Sequence, residues 1–472
     1  MPFLWVSCPA DPSSGDVKVS LNKTSITLTI DKTEKLTYTV TNATNKAVTW
    51  STSNSSIATV SGGTVTAKAE GTATITVTSK EDTSKKAQCT VKVTQRPSTD
   101  IGAKDGLSGK TAAEYFAEKN VFIGWNLGNA FDAGSGYGTW TRKIDKNFLP
   151  KIKKAGFSMV RIPVTWNTNS GPIGNAPAYT LNAKTISDLA EVVDWAYDAG
   201  LVTIINIHHD DNNWLSMNNL LKDADRPEIY AKFEKVWEQI ANKFKDYGDW
   251  LIFEPFNELH DGNWGWNVKD EKEYAIINEL NQKFTAKVRA SGGNNAQRFL
   301  VVQPLCAKPH QALANTFVIP TDSAKNKQIV SMHFYEPEGF ALATYNVMNS
   351  WGSASEKNAI STAFANYAEK FTKKGIPLIL GESGASYQNR TDAAKSATAA
   401  ASRLVYMDYM CKEAKKNGII PIYWDNGTIM AGNDDKPGEN FGLWDRRNSP
   451  NGDLNVFPKM QAVIDAMINA VQ

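Results

Sequence analysis

The sequence predicts an α/β protein, a (β/α)8 TIM barrel preceded by a smaller all-β sandwich, on three observations. Residues 16–95 keep a period of two, rich in Thr, Val, Ser and Ile and punctuated by Asn, Asp and Gly turns. From residue 107 onward, short apolar runs alternate with longer amphipathic stretches and recur every ~43 residues, the length of a β/α unit. Nearly every run turns polar at its C-terminal end.

Residues 1–15, "MPFLWVSCPADPSSG", read as a leader or tether remnant. The apolar start and Cys8 would suit an export or lipoprotein signal, but the basic segment of a complete signal is missing. In residues 16–95 the clearest strand is "TATITVTS" (72–79), where Ala73, Ile75 and Val77 point one way and the threonines the other. About seven such strands predict an antiparallel sandwich. No cluster of carboxylates or histidines lies there, so a spacer or adhesion role is expected rather than chemistry. Residues 96–106 read as a linker, and 107–472 as the barrel.

The eight runs are "VFIGWNLG" (121–128), "MVRIPV" (159–164), "VTIINIHH" (202–209), "WLIFEPFNE" (250–258), "FLVVQP" (299–304), "IVSMHFY" (329–335), "PLILGES" (377–383) and "IIPIYWDN" (419–426). Continuous apolar character marks parallel strands covered on both faces. Stretches such as 185–200 and 226–248 carry helical spacing between them. A doubly wound sheet is the competing layout, but "GWNLGN" lacks the glycine spacing of a phosphate-binding turn.

Composition narrows the function. A formal net charge of +2 offers no basic face for nucleic acid, and no apolar segment approaches the roughly 20 residues that span a bilayer. Cys8, Cys89, Cys306 and Cys411 lack any ligand spacing, so free thiols are expected, with Cys306–Cys411 as an alternative pair. The 14 tryptophans exceed what a core of this size needs, and indole faces suit the apolar faces of sugar rings.

In a barrel the C-terminal strand ends converge on one mouth. They would deliver Asn126 and Asn129, Arg161 with Trp166 beyond, His208 and His209, Asn257 and Glu258, His333 and Tyr335, Glu382, and Trp424. Only the fifth run contributes nothing. A single strand-end glutamate is usually a salt-bridge partner and a single histidine a satisfied rim residue; seven polar termini form a constellation. Glu258 and Glu382 would face each other across the mouth, as retaining hydrolysis of a glycosidic bond requires. Glu254, of the same parity as Glu258, is expected to be a buried structural carboxylate bonded to Arg161. His260, Asp261, Trp264 and Trp266 either shape the leaving-group side of the cleft or pack there.

Two resemblances add to this reading. "VTWSTSNSSIATVSGGTVTAKAEGTATITVT" resembles the bacterial Ig-like domain, group 2. "GWNLGNAFDA", "VRIPVTW", "IINIHHD", "IFEPFNELHDGNW", "MHFYEP", "LILGESGA" and "YWDNG" together resemble glycoside hydrolase family 5, the cellulase family, over about 107–472. That resemblance implies Glu258 as acid/base and Glu382 as nucleophile. It implies Asn257 on the sugar 2-hydroxyl, Arg161 and Tyr335 beside Glu382, and His333 beside Glu258. His208, His209 and Asn129 would line the sugar subsites, and Trp424 would form the stacking floor. It also implies a cis peptide at Trp424–Asp425. Where the family places Pro after the Asn-Glu pair, Leu259 stands here.

The expected function is a retaining endo-β-1,4-glucanase acting on a β-glucan polysaccharide, with no cofactor and no metal, as a secreted or cell-surface monomer. Trp140, Trp166, Trp214, Trp264, Trp266 and Trp351 would supply platforms along an open groove. Xyloglucan and mannan are alternative substrates. A polysaccharide-binding protein without catalysis is the alternative of another class. A metal-dependent hydrolase built on His208, His209 and Glu382 is disfavoured, because strand neighbours point to opposite faces.

Overall fold

The computed structural model describes residues 15–29, 32–68, 71–94, 106–447 and 455–472. The expected leader and linker, Cys8 included, lie outside the described residues apart from Gly15 and Gly106. The chain forms two compact units, each with its own hydrophobic core.

In the first unit the described residues form nine strands: β1 (Lys18–Leu21), β2 (Ser25–Thr29), β3 (Thr33–Lys35), β4 (Tyr38–Thr41), β5 (Val48–Thr52), β6 (Ala58–Ser61), β7 (Thr64–Ala67), β8 (Gly71–Ser79) and β9 (Lys86–Thr94). They build sheets of order β2-β9-β8-β5, β3-β7-β6 and β1-β4. Ala73, Ile75 and Val77 are buried with Cys89, Val91 and Val93, as their alternation requires. The expectation of a purely antiparallel sandwich needs correction: β2 runs parallel to β9, from Ser25 opposite Thr90 to Thr29 opposite Thr94. The hairpin partner β8 occupies one edge of β9, so β2 takes the other edge without a hairpin to dictate its direction.

The second unit is a closed barrel of eight strands: β10 (Gly124–Asn126), β11 (Met159–Ile162), β12 (Val202–Asn206), β13 (Leu251–Glu254), β14 (Leu300–Val302), β15 (Gln328–Phe334), β16 (Leu378–Ser383) and β17 (Ile419–Tyr423). Neighbours pair in parallel all the way round, and β17 closes on β10. Helices such as Ala183–Asp198, Arg226–Lys243, Lys272–Ala290, Ala354–Lys370 and Ala393–Lys416 connect them. Their starts are encoded locally. The Asn182 side chain accepts from the Lys184 and Thr185 N–H groups, and Ser353 with Glu356 closes a capping box.

All eight predicted runs are strands, but several are shorter than their apolar run. β13 stops at Glu254, because Pro255 has no N–H to continue the ladder, and Glu258 stands on the segment beyond it. β15 and β16 carry register shifts at Met332/His333 and between Leu380 and Ser383. Such bulges re-aim side chains, and here they flank His333 and Glu382.

Three further expectations can be settled. Cys89, Cys306 and Cys411 are buried free thiols, so Cys306–Cys411 is not a disulfide. The Trp424–Asp425 bond is not cis; among the described residues the cis bonds are Ala176–Pro177 and Glu336–Pro337. With that bond trans, the Asp425 carbonyl accepts from Gly128 and its carboxylate accepts from Trp125 Nε1 at 2.9 Å, so no contact calls for the costlier isomer. Among the described residues no helix is long and apolar enough to cross a membrane.

Candidate active site

The barrel mouth is organised around Arg161. Its side chain is fully buried on β11, where an unpaired charge would be costly, and each of its three nitrogens has a partner. Nε donates to Glu254 at 2.6 Å, Nη1 to Glu382 at 3.0 Å and to Asn126 at 3.0 Å, and Nη2 to Asn257 at 2.9 Å. Glu254 is thus the structural carboxylate expected, and its other oxygen accepts from Gln303 Nε2 at 2.7 Å. One planar guanidinium therefore fixes side chains from β10, β11, β13 and β16 in a single frame.

Glu258 and Glu382 meet in that frame. With His333 they present one atom each, all within 4.8 Å of one another. Tyr335 donates its O–H to Glu382 Oε2 at 3.1 Å, and His208 Nε2 lies 4.0 Å from Glu382 Oε1. On the other carboxylate, Trp266 Nε1 donates to Glu258 Oε2 at 2.8 Å. His333 Nδ1 sits 2.5 Å from Glu258 Oε1 and 3.6 Å from Glu382 Oε2.

Burial raises both glutamates above the ordinary carboxylate range, and the neighbouring Glu258 pushes Glu382 further up. The contacts break the symmetry. Glu382 has a guanidinium and a phenol directly on its oxygens, whereas Glu258 has only a neutral indole N–H and an imidazole. Burial holds His333 near 4, so that imidazole brings no positive charge at neutral pH. The direct partners of Glu382 thus favour its charged form more strongly than those of Glu258 favour its own.

The remaining sugar-facing candidates also converge. Burial keeps His208 well below its usual value and His209 near 4, making both neutral hydrogen-bonding groups. The Asn206 amide lies 3.2 Å from His208 Nδ1 and orients the ring. Trp424 stacks with His208, centroids 5.8 Å apart and planes 6° apart. A side chain at Gly128 would come within 2.8 Å of the Trp424 indole, so glycine is needed beneath that ring. Asn129 follows with a left-handed backbone, φ 59°, held by the Asp132 carboxylate, which accepts the Asn129 and Ala130 N–H groups.

The groove aromatics divide. Trp140 and Trp264 are exposed and flank the His209 ring at 6.1 and 5.6 Å. Trp166, Trp214 and Trp351 are buried and cannot serve as platforms, because their indoles fill the core. Trp166 Nε1 donates to Asn206 O, and Trp214 Nε1 to Asp210. Three contributors escaped sequence reasoning. Gln303 closes the fifth run, the one set aside as silent, and its only signal was an amide ending "FLVVQ". Asp132 was visible only as an acid within "GNAFDA", and Asp211 as the second acid of "HHDD".

A (β/α)8 barrel whose mouth holds two facing carboxylates, one on a guanidinium and one on an indole, is the scaffold of a glycoside hydrolase. Residues 118–429 match the family model for cellulase, glycosyl hydrolase family 5, and residues 17–91 match the bacterial Ig-like domain, group 2. The chain belongs to glycosyl hydrolase family 5. It is similar to endoglucanase B of Clostridium cellulovorans, with 36% identity over 73% of this chain and 74% of that one. A xyloglucan-specific endo-β-1,4-glucanase of Bacteroides ovatus is 31% identical over 73% of this chain and 75% of its own length. Among solved structures, a broad-specificity endoglucanase from Bacteroides salanitronis superposes with a TM-score of 0.66 at 34% identity, over 78% of this chain and 97% of that one. A lichenase from Caldicellulosiruptor sp. F32 gives 0.66 at 32% identity, over 77% and 96%.

Proposed function

We propose that this protein is an endo-acting β-1,4-glucanase that works with net retention, Glu382 serving as nucleophile and Glu258 as acid/base. The observation carrying this reading is the close approach of the two carboxyls under unequal partners. In the first step a Glu382 oxygen bonds to the anomeric carbon as the glycosidic C–O bond breaks, and the Glu258 proton passes to the departing sugar oxygen. In the second, water replaces Glu382 at that carbon, and Glu258 takes the water's proton. Asn257, oriented by Arg161, bonds the 2-hydroxyl; neutral His208 and His209 bond further hydroxyls; and Trp424 carries the apolar sugar face.

Its partner is a β-glucan chain, encountered outside the cell, and the first unit is a module separate from the chemistry. The relatives are named an endoglucanase, a broad-specificity endoglucanase, a xyloglucan-specific endo-β-1,4-glucanase and a lichenase, so a broad β-glucan specificity is expected. Product release from carboxymethylcellulose, barley β-glucan, xyloglucan and mannan tests it. Rapid loss of viscosity on the first two fits the reading, and mannan as the preferred substrate would overturn it. Glu382→Gln should abolish hydrolysis of all of them.

A further inference from the structure

We propose that Asp211 and His260 are positioning residues for Glu258, a buried acid–imidazole pair that holds the 258–266 segment and keeps the Glu258 proton available to the leaving group. The proposal rests on the assignment of Glu258 as acid/base.

Asp211 is 1% exposed, and neither carboxylate oxygen has a hydrogen-bond partner among the described residues. The Asn212 N–H acts on it electrostatically without reaching bonding geometry. A buried carboxylate so placed is costly unless something offsets it. His260 Nε2 lies 3.8 Å from Asp211 Oδ1 and is likewise unpartnered. His260 Nδ1 accepts the Gly262 N–H at 2.9 Å, which leaves the ring proton of neutral His260 on Nε2, aimed at Asp211. The two orphans are complementary.

This pair lies directly behind the acid/base. The Met217 N–H donates to His260 O at 2.8 Å, joining the loop after β12 to the loop after β13. The His260 ring packs 5.4 Å from both Trp264 and Trp266, and Trp266 carries the indole N–H on Glu258. Contact therefore runs from Asp211 through His260 and Trp266 to the Glu258 oxygen. Asp211 faces Glu258, Asp210 and Glu382, and all three oppose its ionisation. His260 faces Glu258, His209 and Asp261, whose carboxylate is bonded to Lys269. Around Glu258 itself stand Arg161, Lys308, His333, Glu382, Tyr335 and Glu439. Burial and the three acids facing it push the Asp211 carboxyl well above the usual carboxylate range, so the pair acts on Glu258 through the His260–Trp266 contact rather than by charge.

The test uses the full chain and two β-cellobiosides, one with a phenyl leaving group that needs protonation and one with a 2,4-dinitrophenyl group that does not. For Asp211→Asn, kcat/KM on the phenyl substrate should fall about tenfold or more while the dinitrophenyl substrate loses about twofold at most. His260→Gln, on the other loop, should show the same leaving-group dependence and keeps the question answerable if the Asn variant does not fold. Equal losses on both substrates would overturn the proposal and leave a purely structural pair. Glu258→Gln separates the two levels. It must lose the phenyl substrate far more than the dinitrophenyl one, and if it does not, the acid/base assignment fails rather than the role of this pair.

Discussion

Replacing Tyr335 with Phe removes one hydrogen bond from the proposed nucleophile and almost nothing else. The phenol donates to Glu382 Oε2 at 3.1 Å, and the ring packs edge-on against Phe441 at 5.6 Å, a contact Phe retains. A hydrogen bond to a charged acceptor is worth about 1.5–3 kcal/mol, and one pKa unit corresponds to about 1.36 kcal/mol. Because the bond favours the carboxylate, its loss raises the Glu382 pKa by about 1–2 units. The acidic limb of kcat/KM reports protonation of the nucleophile in the free enzyme, so it should move to higher pH by that amount. On the low-pH side activity falls about 10–100-fold; on the plateau it changes far less. The assay is kcat/KM for barley β-glucan from pH 4 to 9, with thermal melts to confirm an unchanged fold. A uniform loss at every pH, with the limb in place, would refute the view that Tyr335 acts by holding Glu382 ionised.

Arg161→Met should destabilise the barrel by about 3–5 kcal/mol, because Glu254 and Glu382 would both lose their cation in the interior; chemical denaturation reads this directly. Asp194, on the outer helix Ala183–Asp198, is raised to about 7 mainly by burial, with the Tyr247 O–H 3.0 Å away. Its folded pKa lies above the unfolded value, so its contribution to stability is complete in acid and is lost as pH rises through 7. Asp194→Asn should therefore raise the melting temperature at pH 8, by the equivalent of about 1–2 kcal/mol, and leave it unchanged at pH 4. EDTA should not change the hydrolysis rate, since the proposed mechanism gives proton transfer and nucleophilic attack to glutamates.

The eight strands and their order were legible because buried parallel strands announce themselves as unbroken apolar runs. The site was legible because polar residues such as His333 and Glu382 interrupt those runs at one consistent end. Strand ends were less so. The "LIFEPFNE" run looks continuous, yet Pro255 ends the ladder at Glu254, and the chain then carries Glu258 over the mouth without strand pairing. Indoles were the least legible class. Trp166 and Trp264 look alike in sequence, but one donates to Asn206 O inside the barrel and the other stands exposed beside His209. Which tryptophan packs inward is decided by tertiary neighbours, and no local pattern encodes them. The partnership of Asp211 with His260 joins two loops 49 positions apart, and neither loop alone signals it.

The most direct measurement is the anomeric form of the first product, followed by proton NMR during rapid hydrolysis of a soluble β-glucan before mutarotation sets in. Two displacements at one carbon, the first by Glu382 and the second by water, release the β-anomer, which then decays toward equilibrium. Initial appearance of the α-anomer would mean a single displacement and would contradict the role given to Glu382.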